Sequence, residues 1–444
     1  MVLFRSSARR VSPILPLMVG ALALPACGAE EPGASPDEIA RAKSIYTQCV
    51  EDEIGMEVVS LEILPSGDIT VEFGEGYSEE NARRAIDICE ARIASVLEPD
   101  GGLSVLGPPP NLGRPGTDAE LERLLRDRVR LGFEGALVAE YQGTPRLSAG
   151  FGAIAPGSKR APDPHTAFDC GSIMKPVTAA AVFLLEQDGL LSRDQTLGEL
   201  FDTVPNEWSA VTIQQVLTHT AGFHDFHDTE GDFEPMDRST ALQRIFEQQP
   251  LSRPGEEWAY SNSGYTLLAI LIEDLTGEDY RDIVRTRVFE PLGMQRSGFY
   301  SDGLWEDGNV AVGQGDHLHE GNDPARWPEP TWALRGNGGL VSTASDLLAL
   351  VKGFQGDVLF EPETRQAFHR DYFARTPGAL GDYAVLGAAG ANDYGFRAVV
   401  LDIPADSSYV VAASRVLSAA HAEIVGIEVL QVLYGEELEL PEPE

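Results

Sequence analysis

Along residues 36–54, apolar side chains return every three or four positions, at Ile39, Ala42, Ile45, Tyr46, Cys49 and Val50. That is the period of a helix with one buried stripe. The period then changes. MEVVSLEILPSGDITVEF alternates on either side of a Pro-Ser-Gly-Asp turn and predicts a two-stranded hairpin. Helical spacing resumes in SEENARRAIDICEARIASVL, whose opening serine and glutamates can cap the first turn. Residues 36–98 therefore read as a small helix–hairpin–helix module. PDGGLSVLGPPPNLGRPGT, residues 99–117, has the composition of a linker.

Residues 118–436 read as one larger α+β domain. A helix over Asp118–Leu131 leads into the strand-like GALVAEYQG and RLSAGFGAI, helical patterns fill residues 172–290, and strands return in FRAVVLDI and SSYVVAAS. Strands at both ends of a helical middle predict a mixed sheet closed by the N- and C-terminal segments, with an inserted helical region. The acidic tail ELELPEPE, residues 437–444, is expected to be loose. No internal repeat is visible.

The first segment changes the picture of where the chain works. Arg5, Arg9 and Arg10 precede an apolar run from Ile14 to Leu24, the pattern of a secretory signal and too short for a comfortable membrane span. LPAC, ending at Cys27, resembles the lipobox of bacterial lipoproteins, in which the cysteine is lipidated and becomes the mature N-terminus. Two expectations stay open: a lipid-anchored or periplasmic cell-envelope protein, or cleavage within residues 1–27 and release. Residues 28–35 would be a tether. Export permits disulfides, which makes Cys49 and Cys89 a candidate pair. Cys170 is left over and reads as a small buried apolar residue.

Composition adds two constraints. The formal net charge is -37 and the sequence pI about 4.4, so the chain repels polyanions and nucleic-acid binding is excluded as a working reading. The 33 basic residues are nearly all arginine; the lysines are Lys43, Lys159, Lys175 and Lys352. Lys175 follows Ser172 by three positions in FDCGSIMKP, one helical turn apart and on one face. A serine hydroxyl needs a base within hydrogen-bond reach, and lysine serves when burial lowers its pKa. The following helix, PVTAAAVFLLEQDGL, is apolar over most of its circumference, and Pro176 fits its first turn. Ser172 then sits where free backbone N–H groups favour a developing oxyanion. The ordinary alternative, an N-cap serine and a surface lysine, fits neither the apolar helix nor the scarcity of lysine. In EEWAYSNSGYTLLAILIEDLTG, Tyr260 and Asn262 are two apart before an apolar helix and can enter one cleft. Alone, Tyr-Ser-Asn also reads as a turn and a helix cap.

Taken with TIQQVLTHTAGF, FEPLGM and GNGGLVSTASDL in order, these motifs resemble the serine β-lactamase and penicillin-binding-protein superfamily, on its class C-like side. The resemblance covers residues 118–436. It implies an antiparallel sheet flanked by helices plus a helical subdomain. It implies Ser172 as acylated nucleophile, Lys175 as its base, Tyr260 as proton relay and Asn262 as a holder of substrate or of Lys175. The backbone N–H groups of Ser172 and Ala391 would form the oxyanion hole. No metal or organic cofactor is implied. The superfamily's third motif places a Lys or His on an inner strand; here Ala388-Ala389-Gly390 stands in its place. Loss of that cation argues against substrates anchored by a carboxylate, such as penicillins or C-terminal D-peptides, and towards small esters or amides. Arg397 and Arg415 are candidates to restore the charge. The rival readings are a silent scaffold that binds a cell-envelope partner, and a true β-lactamase or D,D-peptidase. HDFHD (224–228), His317 and His319 match no metal-ligand spacing and read as polar loops at the rim, while His219 reads as a hydrogen-bonded buried residue.

Overall fold

The computed structural model describes residues 115–439 apart from 306, 316, 374–377, 417, 419 and 437, together with three short strands nearer the N-terminus. Cys27, Cys49, Cys89 and the two helices expected in residues 36–98 lie outside the described residues. The chain divides into two compact units, residues 1–107 and 108–444. In the first, β1 (Leu3–Phe4), β2 (Val58–Ile63) and β3 (Ile69–Phe73) form a sheet in the order β1-β3-β2. β2 and β3 pair antiparallel, as the alternation predicts for the two strands of a hairpin.

The second unit begins inside the expected linker. Gly116 N–H donates to Val432 O, and Thr117 caps α1 (Asp118–Arg130) in a reciprocal box with Glu120. Next come β4 (Gly135–Tyr141), β5 (Thr144–Phe151) and β6 (Ala167–Asp169), then α2 (Met174–Gln187). The helical middle continues through α3 (Ile213–Leu217), α4 (Arg238–Glu247) and α5 (Asn262–Thr276). β7 (Gly298–Phe299), β8 (Leu340–Thr343) and α6 (Ala344–Gln355) follow. The C-terminal part adds β9 (Gly378–Leu380), β10 (Tyr383–Ala391), β11 (Arg397–Ile403), β12 (Ser408–Ser414), α7 (Ala422–Tyr434) and β13 (Leu438–Glu439).

The main sheet runs β13-β9-β10-β11-β12-β4-β5. N-terminal strands thus lie beside C-terminal ones, but every pairing is antiparallel, so the sheet is not mixed. Of the tail expected to be loose, the described residues Leu438 and Glu439 form β13 and pair with β9. Alternation gives each central strand two apolar faces. Leu137, Ala139, Val399, Leu401, Val410 and Ala412 pack under α1 and α7, while Ala136, Val138, Ala398, Val400, Val411 and Ala413 join the larger core that holds α2, α5 and α6. Arg128 of α1 forms a buried bidentate pair with Glu428 of α7, which fixes how those two helices seat.

β6, β7 and β8 make a second, three-stranded sheet in the order β6-β8-β7. It delivers the chain to the N-terminus of α2, because Cys170 N–H donates to Leu340 O at the end of β8. α2 is buried from Met174 through Leu185, on all its faces, as its apolar circumference requires.

Candidate active site

Ser172 lies in a 3-10 turn, Gly171–Ile173, that runs directly into α2. Gly171 adopts φ +47°, and a Cβ there would stand 2.9 Å from both Ala391 N and Ala391 O. Gly390 is tighter still: its Cβ would meet Cys170 O at 1.9 Å. These two glycines let the nucleophile's turn lie directly against the inner end of β10. Asp169 ties the turn down. Its Oδ1 accepts from Gly171 N at 2.8 Å and from Asn392 Nδ2 at 3.0 Å, and its Oδ2 accepts from Tyr300 OH at 2.5 Å. Burial pushes the Asp169 carboxyl up to about 7, against the downward pull of those bonds.

Lys175 is 4% exposed, and its Nζ is 2.9 Å from Ser172 Oγ, 2.6 Å from Asn262 Oδ1 and 2.9 Å from Asn337 O. The rings of Tyr260 and Tyr265 also lie 4.8 and 5.7 Å from it. Burial pushes this amine down to about 7, with Asp225 and Asp232 pulling the other way. A neutral amine has two N–H groups and a lone pair. Asn262 and Asn337 can accept the first two, which aims the lone pair at the serine hydroxyl. The Tyr260 hydroxyl is 2.7 Å from Ser172 Oγ, and burial pushes it up to about 12, so at neutral pH the phenol keeps its proton and can donate to that oxygen.

Tyr260 and Asn262 are held by one short template. Ala259 N–H donates to His219 O, Ser261 N–H to His219 Nδ1, and Asn262 N–H and Ser263 N–H to Asp225 O. Ser261 also caps α5 by accepting from Gly264 N, so the cap and the cleft readings of Tyr-Ser-Asn both hold. Asn262 Nδ2 donates to Asp225 Oδ1 at 2.8 Å. That bond turns the amide oxygen towards Lys175. His219, at φ +58°, lays its ring beside Tyr260 with centroids 4.8 Å apart.

The structure brings Ser172, Lys175, Tyr260 and Asn262 into one contact network, with Ala388, Ala389, Gly390 and Ala391 on the adjoining strand. Neither arginine supplies the missing cation. Arg415 is buried elsewhere, bonded to Ala153 O, Val312 O and Glu134, and Arg397 pairs in register with Ala391 and lines a different cavity from Ala388. The 224–228 loop is not merely a rim. Asp225 reaches the site, and His227 is fully buried, bonded to Trp332 O. His319 stacks on Phe233 with centroids 3.6 Å apart. Cys170 is a fully buried thiol. Sequence reasoning missed Asp169, Asp225 and Asn337. The first two were hidden among 70 acidic residues, and the third acts through its backbone carbonyl, which no motif records.

Comparison with known proteins decides the family, since the beta-lactamase family profile matches residues 121–409. The chain belongs to the beta-lactamase family. A penicillin-binding protein of Bacillus subtilis (strain 168) is 27% identical over 294 residues, 61% of this chain and 60% of that protein, so the match spans less than two thirds of that relative. Esterase EstB of Burkholderia gladioli is 27% identical over 327 residues, 65% of this chain and 80% of the esterase. Among solved structures, an octameric penicillin-binding protein homologue from Pyrococcus abyssi superposes with a TM-score of 0.61 at 22% identity, over 72% of this chain and 78% of that one. A class C beta-lactamase gives 0.58 at 17% identity, over 71% and 99%. At these identities the structural likeness shows the α+β beta-lactamase-like fold and nothing finer.

Proposed function

We propose that this beta-lactamase-family protein is an exported serine hydrolase that cleaves small esters or amides through an acyl-enzyme on Ser172. The observation that carries the reading is the buried Lys175 amine, 2.9 Å from a serine hydroxyl that a protonated phenol also touches. Export rests on the leader in residues 1–27, and Cys27 is the residue a lipid anchor would use. An esterase among the relatives supports the substrate class.

Neutral Lys175 accepts the Ser172 proton as Oγ bonds to the substrate carbonyl carbon, and the oxyanion forms at the backbone N–H groups of Ser172 and Ala391. On collapse, the C–O or C–N bond breaks with its electron pair on the leaving atom. Tyr260 gives that atom a proton, and the proton held by Lys175 restores the phenol. The Ser172 proton thus leaves, in net terms, with the alcohol or amine. Water then repeats the sequence in reverse and frees the serine. Asn262 and Asn337 hold the amine, and Asp225 holds Asn262.

The test is a fluorophosphonate probe followed by mass spectrometry of the Ser172 peptide. Stoichiometric labelling is expected there, and Ser172→Ala should remove both label and turnover of p-nitrophenyl acetate. A folded chain that takes no label, with turnover unchanged in Ser172→Ala, overturns the reading.

His219 acts on this chemistry through Tyr260. Asparagine tolerates positive φ and places Oδ1 near the position of Nδ1, so His219→Asn should keep kcat within about threefold. His219→Phe fills the space but cannot accept from Ser261 N–H, and kcat should fall about tenfold with KM little changed. Steady-state kinetics on the two variants separates positioning from bulk.

A further inference from the structure

Two cavities meet at Ser172, and they differ in character. The first, of about 290 Å³, has Lys175 and Tyr260 in its wall, with Gly387–Ala389 of β10 on one side and the rings of Trp258, Tyr265, Tyr372 and Phe373 on the other. The second, of about 230 Å³, is reached past Asn262 and Ala391 and is lined by Asp169, Asp232, Asp393 and Arg397.

Among the described residues, the wall of the first cavity offers no free cation to hold an anion. Lys175 is the one charged side chain among the described residues of that wall, and three protein oxygens already surround its amine. His219 Nδ1 accepts the Ser261 N–H, so that nitrogen is turned to the backbone. The polar atoms of the wall are largely engaged inward. Tyr265 OH donates to Leu217 O and lies 3.2 Å from Tyr372 OH, and Thr218 Oγ1 donates to Gln214 O. At the mouth, Trp258 leaves 47% of its surface exposed, an uncovered indole beside the nucleophile. Ala388 adds a methyl group where a cation would reach in.

Orientation follows from the proton route. The leaving atom must lie beside the groups that protonate it, and Lys175 and Tyr260 face the first cavity while Asn262 and Ala391 face the second. We propose that the first cavity receives the leaving group, that this group is an uncharged aryl or arylalkyl alcohol stacked on the aromatic wall, and that Ala388 and Trp258 set this preference. The proposal rests on the acyl-enzyme reading, and it turns the general class of small esters into one defined by its alcohol half.

The test compares phenyl acetate with 3-carboxyphenyl acetate, which share an acyl group and differ in one remote carboxylate. The native chain should favour the uncharged ester in kcat/KM by about tenfold or more, because the carboxylate enters a site with no free cationic partner among the described residues. Ala388→Lys should bring the ratio towards one or invert it. Trp258→Ala, at a position 47% exposed, should lower kcat/KM for phenyl acetate about fivefold through KM. Equal rates on the two esters in the native chain, or a folded Ala388→Lys and Trp258→Ala pair that leave the ratio and KM unchanged, overturn the proposal. Persistence of all ester turnover in Ser172→Ala instead strikes the acyl-enzyme reading beneath it.

Discussion

Replacing Lys175 with alanine should lower kcat/KM on an activated ester by about a thousandfold, the middle of the range for loss of a positioned general base. Lys175→Arg should be nearly as inactive, because a guanidinium keeps the charge but holds its proton throughout the accessible pH range. The pair separates basicity from charge. In the native chain, kcat/KM should rise with pH, climbing about tenfold per unit below the amine's pKa of about 7 and levelling above it. Tyr260, pushed up to about 12, imposes no falling limb in the ordinary assay range. A flat profile between pH 5 and 8 would remove Lys175 from the role of base.

The same depressed pKa has a stability consequence with a definite sign. Between about 7 and the ordinary lysine value near 10.4, the unfolded chain binds a proton that the native chain does not. Stability from this group therefore increases as pH rises through that window, and the cost is present in full below it. Lys175→Met, which removes the titrating amine from an apolar site, should unfold at a higher temperature than the native chain at pH 7 while being inactive. Calorimetry at pH 7 and pH 10 checks it, since the advantage should shrink at the higher pH.

Gly390→Ala carries the second large effect. Its added methyl would lie 1.9 Å from Cys170 O and 2.9 Å from Ser172 N, backbone atoms with no flexible end to yield. Either β10 or the nucleophile's turn must move, at about 3 kcal/mol. Thermal unfolding should show the loss, and kcat should fall further than stability explains, because the displaced part is Ser172 itself. A variant with native melting temperature and native kcat would show that the close approach is not needed.

Much of this site was legible because two of its parts are local. Ser172 and Lys175 share a helical turn, and Tyr260 and Asn262 share a side of an extended segment, so spacing alone pairs them. What joins the pairs is not local. Lys175 meets Asn262 because α2 and α5 pack together, and residue patterns record only that both helices are buried. The mixed sheet was misjudged because strands returning after a long helical insertion can pair either way, and alternation does not encode direction. The pairing of Leu438 and Glu439 was illegible for a related reason: two residues join an edge strand through backbone groups, which no side-chain pattern marks.

The shared template for Tyr260 and Asn262 constrains how this protein can change. Acid donor and amine holder are mounted on a single strap running from His219 to Asp225, so neither can be retuned by a shift that spares its neighbour. The outer edge of β10 beyond Val385 carries no second strand among the described residues. Diversity in what the cleft accepts is therefore cheapest to acquire over Gly387 to Ala389 of that margin, short of Gly390, where the nucleophile's turn leaves no room for a side chain.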